Sequence, residues 1–182
     1  MLLGIMLNHG IMLGENGEYL ASSPDELSLL NGAKYMGVTM IKQSLNEIQI
    51  EYHNKVHVYK ILFQIEFDST RKRMTTIVKS EDGKVIVFCK GADTICLPLT
   101  RFSDPLKEKT IEYLDEYAKH GLRTLLFLKR EITEEDFIEW HETYNKAAVL
   151  PGKQRDEAVE KAYSLIEKDF AICGSTAIED RL

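Results

Sequence analysis

The segment RMTTIVKSEDGKVIVFCK, residues 73–90, constrains the fold of this chain more than any other stretch. Two apolar runs enriched in β-branched residues, 73–79 and 84–90, flank the tetrapeptide SEDG. Gly83 in that tetrapeptide can adopt the positive φ that tight hairpin turns require. The pattern therefore predicts two antiparallel strands joined by a short turn, and with them an antiparallel sheet.

Other segments extend the predicted sheet. Residues 38–42, 47–53 and 56–67 alternate or run apolar, are rich in β-branched and aromatic residues, and are separated by the polar turns QSLN and HNK. Two later segments, 122–132 and 170–178, have the same character. We expect all five to be strands.

Helical patterns begin and end at recognisable signals. Ser23 can cap a helix over 23–37, Glu26 has the spacing of a capping box, and Gly37 provides a stop. Thr133 can cap a second clear helix, whose first turn is acidic. The remaining helices are predicted over the apolar opening (1–13), near 93–97, over 106–120 before Gly121, and over 153–168 after the Pro151-Gly152 break.

Strands dominate the first part of the chain and helices the later part, with hairpin connections between strands. This order favours an α+β fold, an antiparallel β-sheet flanked by helices. With 182 residues, 44% of them hydrophobic, the chain can build one sizeable core. We therefore predict a single domain over 1–182.

Charge and cysteine usage exclude several functional classes. The net charge of −6 argues against a general affinity for nucleic acid. Three cysteines without a CxxC spacing fit neither a disulfide framework nor a zinc site, and indicate a reduced cytosolic compartment. No apolar run approaches the roughly 18–20 residues that cross a bilayer.

The familiar catalytic signatures are missing from the sequence. It contains no GxxxxGK[ST] loop, no GxGxxG after a strand and no GxSxG elbow. Cys89 ends a predicted strand without a histidine close in sequence, which favours a buried structural thiol over a nucleophile. We predict no catalytic residue and no metal ligand.

Phe67 and the basic residues after it are candidates for ligand binding. An aromatic face beside Lys72, with Ser69 between them, can stack a purine ring while the ammonium group reaches phosphate oxygens. The same pattern also fits a core phenylalanine followed by a solvated turn. The pattern alone leaves both interpretations open.

Lys90, Gly91 and Ala92 end the second hairpin strand, where a lysine reaches the rim of the sheet and small residues leave room for a flat ligand. Arg123 follows a predicted helix end and can grip phosphate or pair with a surface carboxylate. Glu26 can accept a hydrogen bond from an adenine amino group, although helix capping also explains it. Together these residues favour a planar, anionic ligand at one edge of a sheet.

Five motifs, in this order, carry a resemblance to a known family: SSPDE, FDSTRKRM, KGAD, GLRTL and TAIEDRL. The chain resembles the cytosolic nucleotide-binding domain of type-IV P-type ATPases, the phospholipid flippases, over essentially all of 1–182. KGA alone indicates P-type ATPases in general. SPDE together with FDSTRKRM is typical of the flippase branch.

The resemblance implies an ATP site at the candidate residues. It implies that Phe67 stacks on adenine, that Glu26 faces its amino group, and that Lys90 lies near the ring and ribose. By the same resemblance, Gly91 and Ala92 leave room for the nucleotide to approach the backbone. The sugar and phosphate end of the nucleotide is surrounded by Ser69, Lys72, Arg123 and Thr124. Arg71 and Arg73 are expected to be mainly structural or solvent-facing.

The resemblance also implies a division of labour within a larger parent. DKTGT, the family's phosphorylation motif, and its GDGxND segment are absent. We expect an excised domain that binds ATP, with Mg²⁺ accompanying the nucleotide in the parent, but lacks the aspartate that accepts the γ-phosphate. Residues 175–182 resemble the return hinge to the phosphorylation domain.

The implied partners are ATP and the phosphorylation and actuator domains of the parent, at the cytosolic face of a membrane. The phospholipid would be reached only through the missing membrane domain. The alternative is a nucleotide-insensitive interaction or regulatory domain of the same ATPase, with the acidic helices over 133–147 and 153–168 as its docking face.

Overall fold

The computed structural model describes residues 1–179 and has two sheets with helices on both faces of the larger one. The helices are α1 (Leu2–Leu7), α2 (Pro24–Tyr35), α3 (Asp93–Cys96), α4 (Lys107–Lys119), α5 (Glu134–Ala148) and α6 (Gly152–Ile166), with a 3₁₀ turn at Leu97–Leu99. The strands are β1 (Met12–Leu13), β2 (Tyr19–Leu20), β3 (Thr39–Ser44), β4 (Glu47–Tyr52), β5 (Lys55–Asp68), β6 (Arg73–Ser80), β7 (Val85–Gly91), β8 (Arg123–Ile132) and β9 (Ala171–Ile178).

The larger sheet contains β3 to β9 in chain order, and every neighbouring pair is antiparallel. This confirms the predicted α+β class, an antiparallel sheet flanked by helices. The hairpin of β6 and β7 forms around SEDG as predicted, with Gly83 at φ 83° and with Met74 opposite Lys90. Short turns join consecutive strands from β3 to β7, so each of these strands pairs with the next. Helical segments connect β7 to β8 and β8 to β9, which pair all the same.

Alternation along β6 divides the interior into two layers. Thr75 and Ile77 face the helices α5 and α6, which cover what we call the back of the sheet. Thr76 and Val78 face α1 and α2, which cover the front. Each layer has its own cluster of buried apolar side chains, and β6 and β7 contribute to both.

The opening of the chain differs from the prediction of one helix over 1–13. The helix α1 ends at Leu7, and the two-stranded sheet of β1 and β2 follows it. Strands of two residues carry too little periodicity to be recognised in a sequence. No helix among residues 1–179 is long and apolar enough to span a membrane.

The two predicted helix caps have different outcomes. Thr133 and Asp136 form a complete capping box at the start of α5. At the start of α2, Ser23 Oγ accepts a hydrogen bond from the Glu26 amide at 3.4 Å, but the Glu26 carboxylate bonds to groups outside the helix. That carboxylate is therefore available for a role other than capping.

Candidate functional site

A cleft of about 530 Å³ opens on the front of the sheet, where α2 begins and where β5 and β7 end. Its size falls within the range of small-molecule binding sites. Four of the residues predicted from the sequence line it together: Glu26, Phe67, Lys90 and Gly91. The remaining lining residues are Gly10, Ser22, Ser23, Asp25, Glu66, Met74 and Leu125.

Phe67 presents an aromatic ring to solvent at the mouth of this cleft. The pairing of β5 with β6 shifts register between Ile65 and Asp68, so the regular alternation of side chains breaks just where Phe67 stands. The residue is 63% exposed, which is unusual for a phenylalanine. An exposed ring with an open face is suited to stacking with a planar ligand.

Lys90 lies at the floor of the cleft and is only 7% exposed. Its Nζ donates a hydrogen bond to Glu26 Oε1 at 2.5 Å, and Glu26 Oε2 accepts another from the backbone N–H of Gly10 at 3.2 Å. Burial lowers the pKa of Lys90, while the charge and hydrogen bond of Glu26 act to raise it. The cleft floor thus holds an ammonium group in one position by means of one carboxylate.

The segment Asn8-His9-Gly10 fixes the floor from below, and the sequence analysis did not identify it. His9 Nδ1 accepts from the Ile11 N–H at 3.1 Å, and Nε2 donates to the Met6 carbonyl at 3.0 Å. Burial and the neighbouring Lys90 lower the pKa of His9 to about 4, so the imidazole is neutral near pH 7. Asn8 Nδ2 donates to the Met74 carbonyl at 3.0 Å, which connects the segment to β6.

Gly91 is required by a close approach of two backbone segments. A Cβ at this position would lie 2.5 Å from the Lys72 carbonyl oxygen and 2.8 Å from Arg73 Cβ. The Ala92 N–H donates to the same Lys72 carbonyl at 3.2 Å. The sequence predicted clearance for a ligand, whereas the structure identifies a protein backbone as the immediate reason for the glycine.

Ser69 and Lys72 lie in the exposed turn between β5 and β6, next to the cleft but not among its lining residues. Asp68 Oδ1 shapes this turn by accepting from the N–H groups of Thr70 at 2.8 Å and Arg71 at 3.1 Å. Lys72 has a φ of 52°, in the left-handed region. The turn presents its lysine to solvent beside Gly91.

The other predicted residues also lie at the edge of the cleft. Arg123 Nη1 donates to Asp25 Oδ2 at 2.9 Å, and Asp25 lines the cleft. Thr124 precedes Leu125, another lining residue, and Ala92 follows Gly91. The structure thus brings the adenine-end candidates into the cleft itself and leaves Ser69, Lys72, Ala92, Arg123 and Thr124 around it.

Arg71 and Arg73 point to the back of the sheet, away from the cleft. Both pair with Glu167, whose side chain is fully buried, and both approach the half-exposed Glu160. The guanidinium of Arg71 also lies over the ring of Tyr163, 4.7 Å from its centroid. Of the roles expected for these two arginines, the structure supports the structural one.

Five of the missed lining residues left a signal in the sequence. Counting outward from the SEDG turn places Met74 opposite Lys90, and the other four belong to the motifs SSPDE and GLRTL: Ser22, Ser23, Asp25 and Leu125. Gly10 left none, because it reaches the cleft only through the fold. Among residues 1–179, no group of three or more histidine, cysteine or acidic side chains is arranged to hold a metal ion.

A family model and several curated relatives match this chain, and their descriptions agree with one another. A family model described as "P-type ATPase, cytoplasmic domain N" matches residues 3–182. Phospholipid-transporting ATPase IC of Homo sapiens is 40% identical over 164 residues, which cover 90% of this chain and 13% of the relative. Phospholipid-transporting ATPase DRS2 of Saccharomyces cerevisiae is 40% identical over 168 residues, 91% of this chain and 12% of the relative.

A third relative extends the match to almost the whole chain. Phospholipid-transporting ATPase IC of Xenopus tropicalis is 36% identical over 181 residues, which cover 98% of this chain and 14% of the relative. The chain therefore spans only about one eighth of the length of the curated relatives it matches. The last residues of the match, 180–182, lie outside the described residues, and with them part of the predicted hinge over 175–182.

Proposed function

The chain belongs to the cytoplasmic N domains of P-type ATPases, in the phospholipid-transporting branch, and from this premise we propose that its cleft binds ATP. The observation that carries the proposal is the meeting of an exposed aromatic ring and a buried ammonium group in one cleft of about 530 Å³. Phe67 supplies the ring and Lys90 supplies the charge.

Each group at the adenine end has a distinct role. Phe67 stacks on the base, an interaction worth roughly 1–3 kcal/mol. Lys90 lies near the ring and ribose, held in place by Glu26. The Glu26 carboxylate already accepts two hydrogen bonds, from Lys90 and Gly10, and an ionised carboxylate has about four acceptor positions, so it retains capacity for the adenine amino group.

The sugar and phosphate end is formed by the groups around the cleft. Lys72 is exposed and has no hydrogen bond or ion pair with another described side chain, so its ammonium group is available to phosphate oxygens. Ser69 offers a hydroxyl from the same turn. Arg123 is half-exposed in its pair with Asp25, and a guanidinium in this position can accept a phosphate as a partner.

The residues of this chain bind and orient, and the chemistry belongs to the rest of the parent. The domain holds ATP so that its γ-phosphate reaches an aspartate in the phosphorylation domain, and Mg²⁺ accompanies the nucleotide. Positioning and charge neutralisation are the domain's contributions to phosphoryl transfer. The parent is proposed to be a phospholipid translocase that couples this cycle to its actuator and membrane domains, with this domain at the cytosolic face.

An NMR titration with ATP, ADP and GTP tests the proposal directly. We expect ATP to shift amide resonances around Phe67 and Lys90, and we expect no ATP hydrolysis by the isolated chain. Phe67→Ala should raise the Kd for ATP by roughly 5- to 150-fold, the equivalent of one lost base stack. Lys90→Met should weaken binding as well.

Phe102→Ala is the matched control, because Phe102 is fully exposed and does not line the cleft. It should bind ATP as the wild type does. If ATP shifted no resonance of the folded wild-type chain, the proposal would be wrong and the nucleotide-insensitive interaction domain would replace it. If Phe67→Ala and Lys90→Met bound ATP normally, the site would lie elsewhere on the domain.

A further inference from the structure

The Glu167 carboxylate accepts hydrogen bonds from three residues of one short segment of the chain. Its carboxylate accepts hydrogen bonds from Arg71 Nη2, from Arg73 Nε at 2.8 Å and from Thr75 Oγ1 at 2.6 Å. Its side chain is 0% exposed. The residue directly follows α6, so it lies behind the sheet, on the side opposite the cleft.

The partners of Glu167 flank the residue that we place at the phosphate end of the site. Lys72 lies between Arg71 and Arg73, in the left-handed conformation that turns the chain between β5 and β6. The cleft side holds the same turn through a hydrogen bond from the Ala92 N–H to the Lys72 carbonyl. The turn is therefore fixed from the front by β7 and from the back by Glu167.

We infer that Glu167 is a positioning residue of the nucleotide site: it places Lys72 and Ser69 through Arg71 and Arg73, without touching the ligand. The inference rests on the proposed ATP-binding function. It assigns a role in binding to a residue that lies on the opposite side of the sheet from the cleft.

The physical reason lies in the charges behind the sheet. Two arginine side chains, 10% and 13% exposed, need a carboxylate partner there, because an unpaired buried charge is unfavourable. Without the Glu167 charge, the one acidic partner left to them among residues 1–179 is Glu160, half-exposed and at 3.3 and 3.6 Å. The two guanidinium groups are then better solvated if they move toward water. The loop that carries Lys72 moves with them.

The adenine end has separate support, which makes the inference specific. Lys90 donates to Glu26, which also accepts from the Gly10 N–H on the front of the sheet, and neither contact involves Glu167. A change at Glu167 should therefore weaken the contribution of the phosphates to binding and leave the contribution of the base intact.

The test compares the Kd values of ATP and adenosine, measured by NMR titration of the whole chain. Glu167→Gln keeps the size of the side chain and removes its charge. We expect it to raise the Kd for ATP about fivefold, the upper range for one exposed ion pair, and to leave that for adenosine unchanged. Lys72→Ala should have a similar effect, and the double variant should be no weaker than Lys72→Ala alone, because both changes act on one contact.

Glu160→Gln is the matched control, since Glu160 approaches the same arginines from a half-exposed position, and it should bind ATP as the wild type does. If Glu167→Gln does not fold, Arg73→Lys serves as the second test of the inference. It keeps the positive charge but removes the hydrogen bond from Arg73 Nε to Glu167. It should raise the Kd for ATP and leave the Kd for adenosine unchanged.

Three results would overturn the inference while leaving the proposed function standing: an unchanged ATP affinity, equal losses for ATP and adenosine, or additive effects in the double variant. Failure of the wild-type chain to bind ATP would instead overturn the proposed function.

Discussion

His9 is a neutral histidine placed directly beneath a charged pair. Its two ring nitrogens bond to the backbone at Met6 and Ile11, and its neighbours include Lys90 and Glu26. A protonated imidazole would lose the acceptor at Nδ1 and would face the ammonium group of Lys90. The residue therefore connects the protonation state of the cleft floor to the stability of the fold.

The pH dependence of stability should reveal this connection. The His9 pKa is about 4 in the folded chain against 6.5 in the unfolded chain, so the unfolded state binds more protons between these values. Stability then falls as the pH drops from 6.5 toward 4, by about 3 kcal/mol from this residue. In urea unfolding experiments, His9→Gln should lose less stability than the wild type between pH 7 and pH 4.

His120→Gln provides the comparison, because His120 is exposed at the end of α4. Its pH profile should run parallel to that of the wild type. Parallel profiles for His9→Gln and the wild type would contradict the role given to His9, whatever the absolute stability of the variant.

At the scale of elements, the end of β7 depends on a residue without a side chain. Gly91→Ala would place its Cβ against the Lys72 carbonyl, and we expect a loss of about 1–3 kcal/mol in the free energy of unfolding. Gly32→Ala, in the middle of α2, meets no atom within 4 Å and should stabilise the chain by about 0.5–1 kcal/mol. Urea denaturation measures both.

The opposite signs make the comparison informative, because both variants add one methyl group to a glycine. Equal effects of the two substitutions would mean that the close approach at Gly91 relaxes at no cost. The turn that carries Lys72 would then be less firmly fixed than its contacts with β7 indicate.

The elements that the sequence predicted well are those with strong local signals. The SEDG turn set the pairing of β6 and β7, and Thr133 marked the start of α5. The opening was predicted wrongly as one helix, because the apolar composition of 1–13 does not distinguish a helix from the short strands that follow α1. A local sequence pattern identifies a helix or strand only where that element is long enough for its hydrophobic period to repeat.

The candidate site was predictable in part for a similar reason. Phe67 and Lys90 belong to motifs that the sequence displays, and the structure brings both to one cleft. The supports around them come from distant parts of the sequence: His9 feels the charge of Lys90, 81 positions later, and Glu167 bonds to Arg73, 94 positions earlier. Such contacts arise from the sheet topology and leave no periodic pattern in the sequence.

At the scale of the whole molecule, one sheet serves two apolar layers. Val78 and Phe88 belong to the front layer, while the neighbouring Ile77 and Val87 belong to the back layer. Removing either layer would expose one face of the same two strands to water, which costs about 25 cal/mol per Å² of apolar surface. The two layers should therefore unfold together, as the prediction of a single domain over 1–182 requires.

Urea unfolding followed by two probes tests this cooperativity. Trp140, the only tryptophan, is buried in the back layer and reports on it by fluorescence, while amide resonances of α2 report on the front layer. Leu30→Ala removes a buried front-layer side chain and should cost about 2–5 kcal/mol. In one cooperative unit the Trp140 transition moves to lower urea by the same amount as the α2 transition, although Trp140 lies across the sheet.

Leu45→Ala, at an exposed turn position, is the control and should move neither transition. Separate midpoints for the two probes would divide the chain into two folding units and would contradict the prediction of a single domain.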